Sequence, residues 1–253
     1  MTSSQLYVKS VGTGVPIVFL HGFLEDHSVW NAVYPDFVNA GFQCILVDLP
    51  CHGKTRFEGE CCSMKFMAAT LFNYLDETKI HNPFVFGHSM GGYVGLELQR
   101  LMKIRLTLVH SNFWTDSEEK KQDRNRVIEV VKQNKNLFLN VAIPNLFAPY
   151  NREFRREEIN LLLEKAAKID GVEIAAATAG LRDRLPSYDV MESEEVNLIQ
   201  ASDDPVVPED TLKDELIKLT RKPTIYRIAN CGHMSFIEDR EALINHLRTI
   251  VFQ

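Results

Sequence analysis

The sequence predicts an α/β fold, a doubly wound, mostly parallel sheet interrupted by an inserted all-helical cap, and three observations carry that prediction. Short runs of Val, Ile, Leu and Phe without polar alternation recur along the chain, the pattern of strands buried on both faces. Between them lie longer stretches of helical period, so strand and helix alternate as βαβ units require. From Asn112 to about Glu194 the alternation stops and helical periods follow one another, after which strands resume. The expected organisation is a core of residues 1–111 and 195–253 with a cap, or lid, at 112–194.

Taken in order, Leu6 to Val11 ahead of the Gly12-Thr13-Gly14 turn reads as an antiparallel edge strand. Strands follow at Ile17 to Leu20, Cys44 to Val47, Phe84 to Phe86, Leu106 to Val109, Val196 to Ile199 and Thr224 to Ile228. Met64, Met67, Ala68, Leu71 and Leu75 recur at helical spacing behind Ser63, which predicts a helix with one buried face and a serine N-cap. Tyr93 to Met102 carries a second helical pattern, and Leu243, Ile244, Leu247 and Ile250 or Val251 give the C-terminal helix a face to lay on the sheet. Within the insertion, Ser117 to Asn134, Leu137 to Phe147, Arg152 to Lys168 and Val172 to Leu181 read as successive helices. Open α/β sheets bind ligands at the carboxyl edge of their strands, and an insertion there is placed to act as a lid.

Composition removes other classes. At ~150 residues per domain, 253 residues make one or two domains, and 45% hydrophobic residues suffice for a large core, so disorder and collagen are excluded. With 28 Lys+Arg against 34 Asp+Glu the net charge is −6, and no basic block exists, so no nucleic-acid partner is expected. The first ten residues hold no apolar signal core, and no apolar stretch approaches the ~18 residues of a membrane span, so the expectation is a cytoplasmic protein off the membrane. Five cysteines, Cys44, Cys51, Cys61, Cys62 and Cys231, make an odd count without C-x-x-C, which predicts reduced thiols.

The strongest chemical signal is Phe84-Val85-Phe86-Gly87-His88-Ser89-Met90-Gly91-Gly92, an apolar strand running through G-x-S-x-G into a helical pattern. Strand, sharp turn and helix would lift the Ser89 hydroxyl above the sheet on a strained elbow; the plain alternative is a turn serine that caps the following helix. A serine needs a base, and the base needs a third group to hold its tautomer. Of eight histidines, only His233 sits on a loop after the last strand. The acid belongs after the preceding strand, in Ala201-Ser202-Asp203-Asp204-Pro205-Val206-Val207-Pro208. Asp204 is favoured by the Pro-x-x-Pro turn that it precedes, with Asp203 as the alternative.

Together these residues resemble the α/β-hydrolase superfamily over essentially the whole chain outside the insertion. The resemblance implies that His21-Gly22-Phe23 is an oxyanion-hole loop, with the backbone N–H groups of Phe23 and Met90 as its donors. It also makes Asp48-Leu49-Pro50-Cys51-His52-Gly53-Lys54-Thr55 similar to the family's structural D-x-P-G-H-G-x-S turn. Cys51 departs from the usual Gly there, at about 1 kcal/mol or more of strain if its φ is positive, and Ala201 departs from the Gly often found before the acid. A serine elbow excludes the branches that use an aspartate nucleophile and implies acyl transfer.

No metal or cofactor is expected, since no ligand spacing or dinucleotide loop is present. Phe23, Leu24, Met90, Trp114, Leu146 and Phe147 are candidates for an apolar acyl or aromatic pocket, against the plain alternative of core packing. Arg182 and Arg184 could present guanidinium groups to a substrate carboxylate or form ordinary ion pairs. The expected function is a cytoplasmic serine esterase acting on small-molecule acyl compounds, as a monomer or weak dimer. The alternatives are a triad-bearing lyase or carbon–carbon hydrolase of the same superfamily, such as the menaquinone-pathway type, and a non-catalytic ligand-binding module.

Overall fold

In the computed structural model, which describes residues 5–253, each apolar run becomes a strand. These are β1 (Tyr7–Val11), β2 (Val15–Leu20), β3 (Phe42–Asp48), β4 (Phe84–His88), β5 (Arg105–Val109), β6 (Val196–Ala201) and β7 (Thr224–Ile228). They form one sheet in the order β1-β3-β2-β4-β5-β6-β7. Only β1 is antiparallel, against β3; every other pairing is parallel. The registers Leu20 opposite Gly87, His88 opposite Val109 and Val109 opposite Ile199 align the carboxyl ends of the central strands along one edge.

Alternation within these runs sorts their side chains onto two faces. Ile17, Phe19, Cys44, Leu46, Phe84 and Phe86 enter one apolar layer with Trp30 and Phe37, while Val18, Leu20, Ile45, Val47 and Val85 enter the other with Met67, Leu71 and Val94. The helices of the core are α1 (Tyr34–Asn39), α2 (Met64–Glu77) and α3 (Met90–Gln99). In α2 the residues facing the sheet are those the spacing predicts, and the Ser63 hydroxyl accepts the Phe66 N–H at 3.1 Å as N-cap.

Between β5 and β6 lie four helices, α4 (Glu118–Ala142), α5 (Arg156–Ala166), α6 (Gly171–Arg182) and α7 (Tyr188–Ser193), and no strand. α4 comprises the two helical lengths that the sequence suggests, meeting at a non-helical kink at Asn134 (φ −150, ψ 83). It stops before Pro144, which cannot continue a helical hydrogen-bond ladder. The short side chains of α6, Ala175, Ala176, Ala177, Ala179 and Gly180, are buried, and the Cys62 N–H of the core donates to the Ala176 carbonyl at 3.0 Å.

The chain closes with α8 (Glu209–Ile217), α9 (Ser235–Glu238) and α10 (Arg240–Val251). Of these, α1, α7, α8 and α9 carry no legible period: each is nine residues or shorter, and α8 buries only Leu212. All five cysteines are free, with Cys61 exposed and the others buried. Among the described residues, no helix is long and apolar enough to cross a membrane.

The tightest approach in the core is between backbones. A Cβ on Gly91 would stand 2.7 Å from the carbonyl oxygens of Leu20 and His21, and one on Gly87 would stand 2.5 Å from that of Gly91. Neither obstacle is a side chain that could swing away. Gly91→Ala is therefore expected to lower the unfolding free energy by about 1–3 kcal/mol or more, read from urea denaturation; an unchanged midpoint would show that α3 can shift.

Candidate active site

The chain passes from β4 to α3 through one residue, Ser89, at φ 49 and ψ −115. L-residues avoid this left-handed region, and holding one there costs on the order of 1–3 kcal/mol. The surroundings fix it: the Ser89 N–H donates to the Val109 carbonyl at 3.0 Å, and its own carbonyl accepts from Gly92 N–H at 2.9 Å and from the Ser111 hydroxyl at 2.7 Å. Although Ser89 is the N-cap residue of α3, its hydroxyl makes no capping bond, so the plain alternative of a helix-capping serine does not hold.

His233 follows β7 and Asp204 follows β6, and the two meet. His233 Nδ1 lies 2.8 and 3.0 Å from the Asp204 carboxylate oxygens. Because a carboxylate only accepts, Nδ1 carries the proton of this bond, and Nε2 has no protein partner among the described residues. Asp204 Oδ1 also accepts the N–H groups of Val206 and Val207, at 2.8 and 3.0 Å, in the turn ahead of Pro208. Burial alone pushes this acid upward, yet the His233 charge and hydrogen bond, with His110 behind them, hold it down at about 2. Asp203 is exposed, and its carboxylate takes hydrogen bonds from the Tyr150 and Ser202 hydroxyls at 2.9 and 2.6 Å instead. Of the two aspartates, only Asp204 bonds His233.

Ser89 and His233 line one cavity of about 570 Å³, though no hydrogen bond joins the serine hydroxyl to the imidazole. Phe23, Leu24, Met90 and Leu146 line it too. The backbone N–H groups of Phe23 and Met90 have no protein acceptor among the described residues.

Two expected pocket residues lie elsewhere. Phe147, which follows the short 3-10 turn Pro144–Leu146 with extended backbone, is fully buried in the core and does not line the cavity. Trp114 packs edge-on against Phe113 at 5.4 Å and faces a separate cleft shared with Tyr188 and Glu215. Arg182 and Arg184 form ion pairs within the chain. Arg182 binds Asp183 at 2.7 Å, while Arg184 binds Asp116 at 2.8 Å and covers the Tyr93 ring.

Beneath the cavity is a buried pair that sequence spacing does not disclose. Glu25 accepts the Gly22 N–H at 2.6 Å and His88 Nδ1 at 3.0 Å, while His88 Nε2 points at the His233 carbonyl at 3.0 Å. Both ring nitrogens face acceptors, so the doubly protonated ring satisfies both. Burial opposes the two charges, but each stabilises the other, lowering the Glu25 pKa and raising that of His88. Nearby, His21 donates to the Gly22 carbonyl at 2.7 Å and accepts the Leu49 N–H at 3.0 Å, tying the Phe23 loop to the Asp48 turn. In that turn Cys51 takes φ 72, the strained value that its place in the motif demands.

The other charged groups of the cavity wall are cationic in excess. Lys120 and Arg124 stand one turn apart on α4, with Val127 next on the same face, and Arg152 joins them from the loop ahead of α5. As for metals, Asp26, His27 and Asp48 bring ligand atoms close together, but His27 Nδ1 is bonded to Asp48 at 2.7 Å and Asp26 caps Ser28 N–H at 2.8 Å, so the donors satisfy one another.

A family model described as "Alpha/beta hydrolase family" matches residues 17–246. The chain is 25% identical over 252 residues to the AB hydrolase superfamily protein YisY of Bacillus subtilis, covering 94% of this chain and 92% of that protein. Among solved structures, a thermophilic esterase from Thermogutta terrifontis is similar with a TM-score of 0.88 at 24% identity, over 97% of this chain and 92% of that one. The enol-lactonase of Burkholderia xenovorans LB400 is similar with a TM-score of 0.88 at 14% identity, over 100% and 98% of the two chains.

Two further buried histidines set an acid limit. Burial pushes His52 and His110 from 6.5 down to about 3, against the pull of neighbouring carboxylates. The unfolded chain takes up protons on both near pH 6.5 and the folded chain does not, so stability falls as pH drops from 6.5 toward 3. Each histidine adds at most about 1.4 kcal/mol per pH unit. His88, shifted the other way, adds nothing to this loss. Urea denaturation from pH 7 to 4.5 should show a steady decline that is shallower in His110→Asn; a flat profile would mean that these rings are hydrated.

Proposed function

The chain belongs to the alpha/beta hydrolase family, and on that footing we propose that it is a serine hydrolase cleaving small carboxylic esters through Ser89, His233 and Asp204. The observation that carries this proposal is the left-handed turn at Ser89, which leaves a hydroxyl uncommitted in the cavity that also holds His233, itself bonded to Asp204.

In this mechanism Asp204 accepts the Nδ1 proton and keeps the imidazole in the tautomer that offers Nε2. His233 Nε2 takes the Ser89 proton as the serine oxygen attacks the ester carbonyl. The N–H groups of Phe23 and Met90 receive the oxyanion, and their lack of protein acceptors leaves them available for it. His233 then gives its proton to the departing alkoxide, and a water deprotonated by the same ring releases the acid. The open Ser89–His233 contact fits a site that tightens when substrate fills it. Helices α4 to α7, residues 112–194, act as its cap: Lys120, Val127, Leu146 and Thr178 contribute wall opposite the sheet edge. Five free thiols suit a reducing compartment, and we place the enzyme in the cytoplasm.

A fluorophosphonate probe read by intact mass tests the nucleophile, with p-nitrophenyl ester hydrolysis alongside. The parent should gain one adduct and Ser89→Ala none, and that variant should lose at least ~10³-fold in kcat. Asp204→Asn should lose about 10³–10⁴-fold while Asp203→Asn stays within about twofold. An unlabelled parent, or a labelled Ser89→Ala, would overturn the assignment.

A further inference from the structure

The cavity over Ser89 holds more positive charge than its own carboxylates neutralise. Three cations line it, Lys120, Arg124 and Arg152. Its two carboxylates are both committed: Glu25 to His88, and Asp123 to Arg126 at 2.6 Å on the solvent side. Arg124 binds Asp116 through Nε alone, and Asp116 is shared with Arg184, so one carboxylate stands between two guanidinium groups and a positive excess remains. Arg152 uses only Nε, toward the Phe147 carbonyl at 3.4 Å. The terminal nitrogens of both arginines, and the Lys120 ammonium, have no protein acceptor among the described residues.

An ordinary solvated helix face does not account for this arrangement. The Arg124 side chain is only 18% exposed. Crowding by neighbouring groups first, then the Arg124 and Arg184 charges, push Lys120 below its ordinary pKa against the pull of Asp116 and Asp204, although the residue stays open to solvent. Arg124 and Arg152 are part-buried and Lys120 stands exposed at the rim; the three repel one another and the arginines lack part of their hydration, and an anion entering there relieves both penalties. Guanidinium groups with free paired N–H donors match the two oxygens of a carboxylate. The remaining wall, with Phe23, Leu24, Phe138 and Leu146, is apolar.

We propose that the substrate of this site carries a carboxylate in addition to its scissile ester, joined to it by a short apolar chain, and that Lys120, Arg124 and Arg152 bind that carboxylate. The substrate class is thus the half-ester of a dicarboxylic acid, or an equivalent acid-bearing acyl compound. This inference rests on the serine-hydrolase proposal for Ser89.

The test compares monoethyl adipate with ethyl hexanoate, which share acyl-chain length and differ in the terminal carboxylate. It also measures whether adipate slows fluorophosphonate labelling of Ser89 more than hexanamide does. The parent should favour the half-ester in kcat/KM by about tenfold or more. In Lys120→Gln/Arg152→Gln that ratio should collapse toward one and adipate protection should be lost. Lys132→Gln, on the same helix but exposed, should keep the ratio of the parent. Labelling of Ser89 with equal turnover of the two esters, or with no protection by adipate, would overturn the carboxylate site and leave the serine hydrolase standing. No labelling would overturn that assignment, and this one with it.

Discussion

Three backbones, the ends of β2 and β4 and the start of α3, meet with no room for a Cβ between them, and the site follows from that convergence. Gly87 and Gly91 let the chain turn so sharply that Ser89 can be held at a positive φ, with its hydroxyl directed away from the helix it begins. The same contact sets the first turn of α3 against the Leu20 and His21 carbonyls, so the loop with Phe23 and the N–H of Met90 border one cavity. Parallel registers then bring the loops after β6 and β7 to that edge. The strain at Ser89 is offset by contacts of its own backbone with β5 and the residues after it, through Val109 and Ser111.

Electrostatics divides two similar pairs into different tasks. Asp204 and Glu25 are both buried carboxylates bonded to an imidazole Nδ1. The other nitrogen of His233 is left to the cavity. That of His88 is turned onto the His233 carbonyl, so the ring bridges the Glu25 loop to the segment that carries His233. A ring with acceptors at both nitrogens holds two segments together; a ring bonded at one nitrogen leaves the other free to meet a ligand.

Much of this was legible in the sequence, for physical reasons. Strands buried on both faces must be apolar, so β2 to β6 showed as runs, the edge strands β1 and β7 showed more by their place beside turns and loops, and Ser63 with its spaced Met, Ala and Leu residues fixed α2. Ser89, His233 and the acid loop were found because the turn, loop and order needed to bring them together leave marks on the chain. Glu25 and His88 were not, since residues 63 positions apart meet only through the pairing of β2 with β4. Leu146 and Phe147 show another limit: both apolar and adjacent in sequence, one lines the cavity while the other is core packing. Arg182 and Arg184 form the ordinary ion pairs that were the alternative to substrate binding, with Asp183 and Asp116, while nothing in the sequence marks Lys120 and Arg124 among the charges of their helix as cavity residues.

The break at Asn134 divides α4 into two lengths with different attachments. Past it, Lys135 binds the Ile169 carbonyl at 2.6 Å, just ahead of α6. That helix is clamped to the core by the Cys62–Ala176 hydrogen bond and by a glycine, Gly180, set so tightly on the Cys62 backbone that a methyl group would collide. The section from Glu118 to Asn134, with Lys120 and Arg124 on it, is seated on the same helix: Asn125 accepts from Arg182 at 2.7 Å, and Gly171 lies so close to Val131 that a Cβ would stand 2.3 Å from its carbonyl oxygen. These two cations over Ser89 therefore ride on the same clamped unit as α6, and their spacing from the sheet edge is set by close packing of one helix on another.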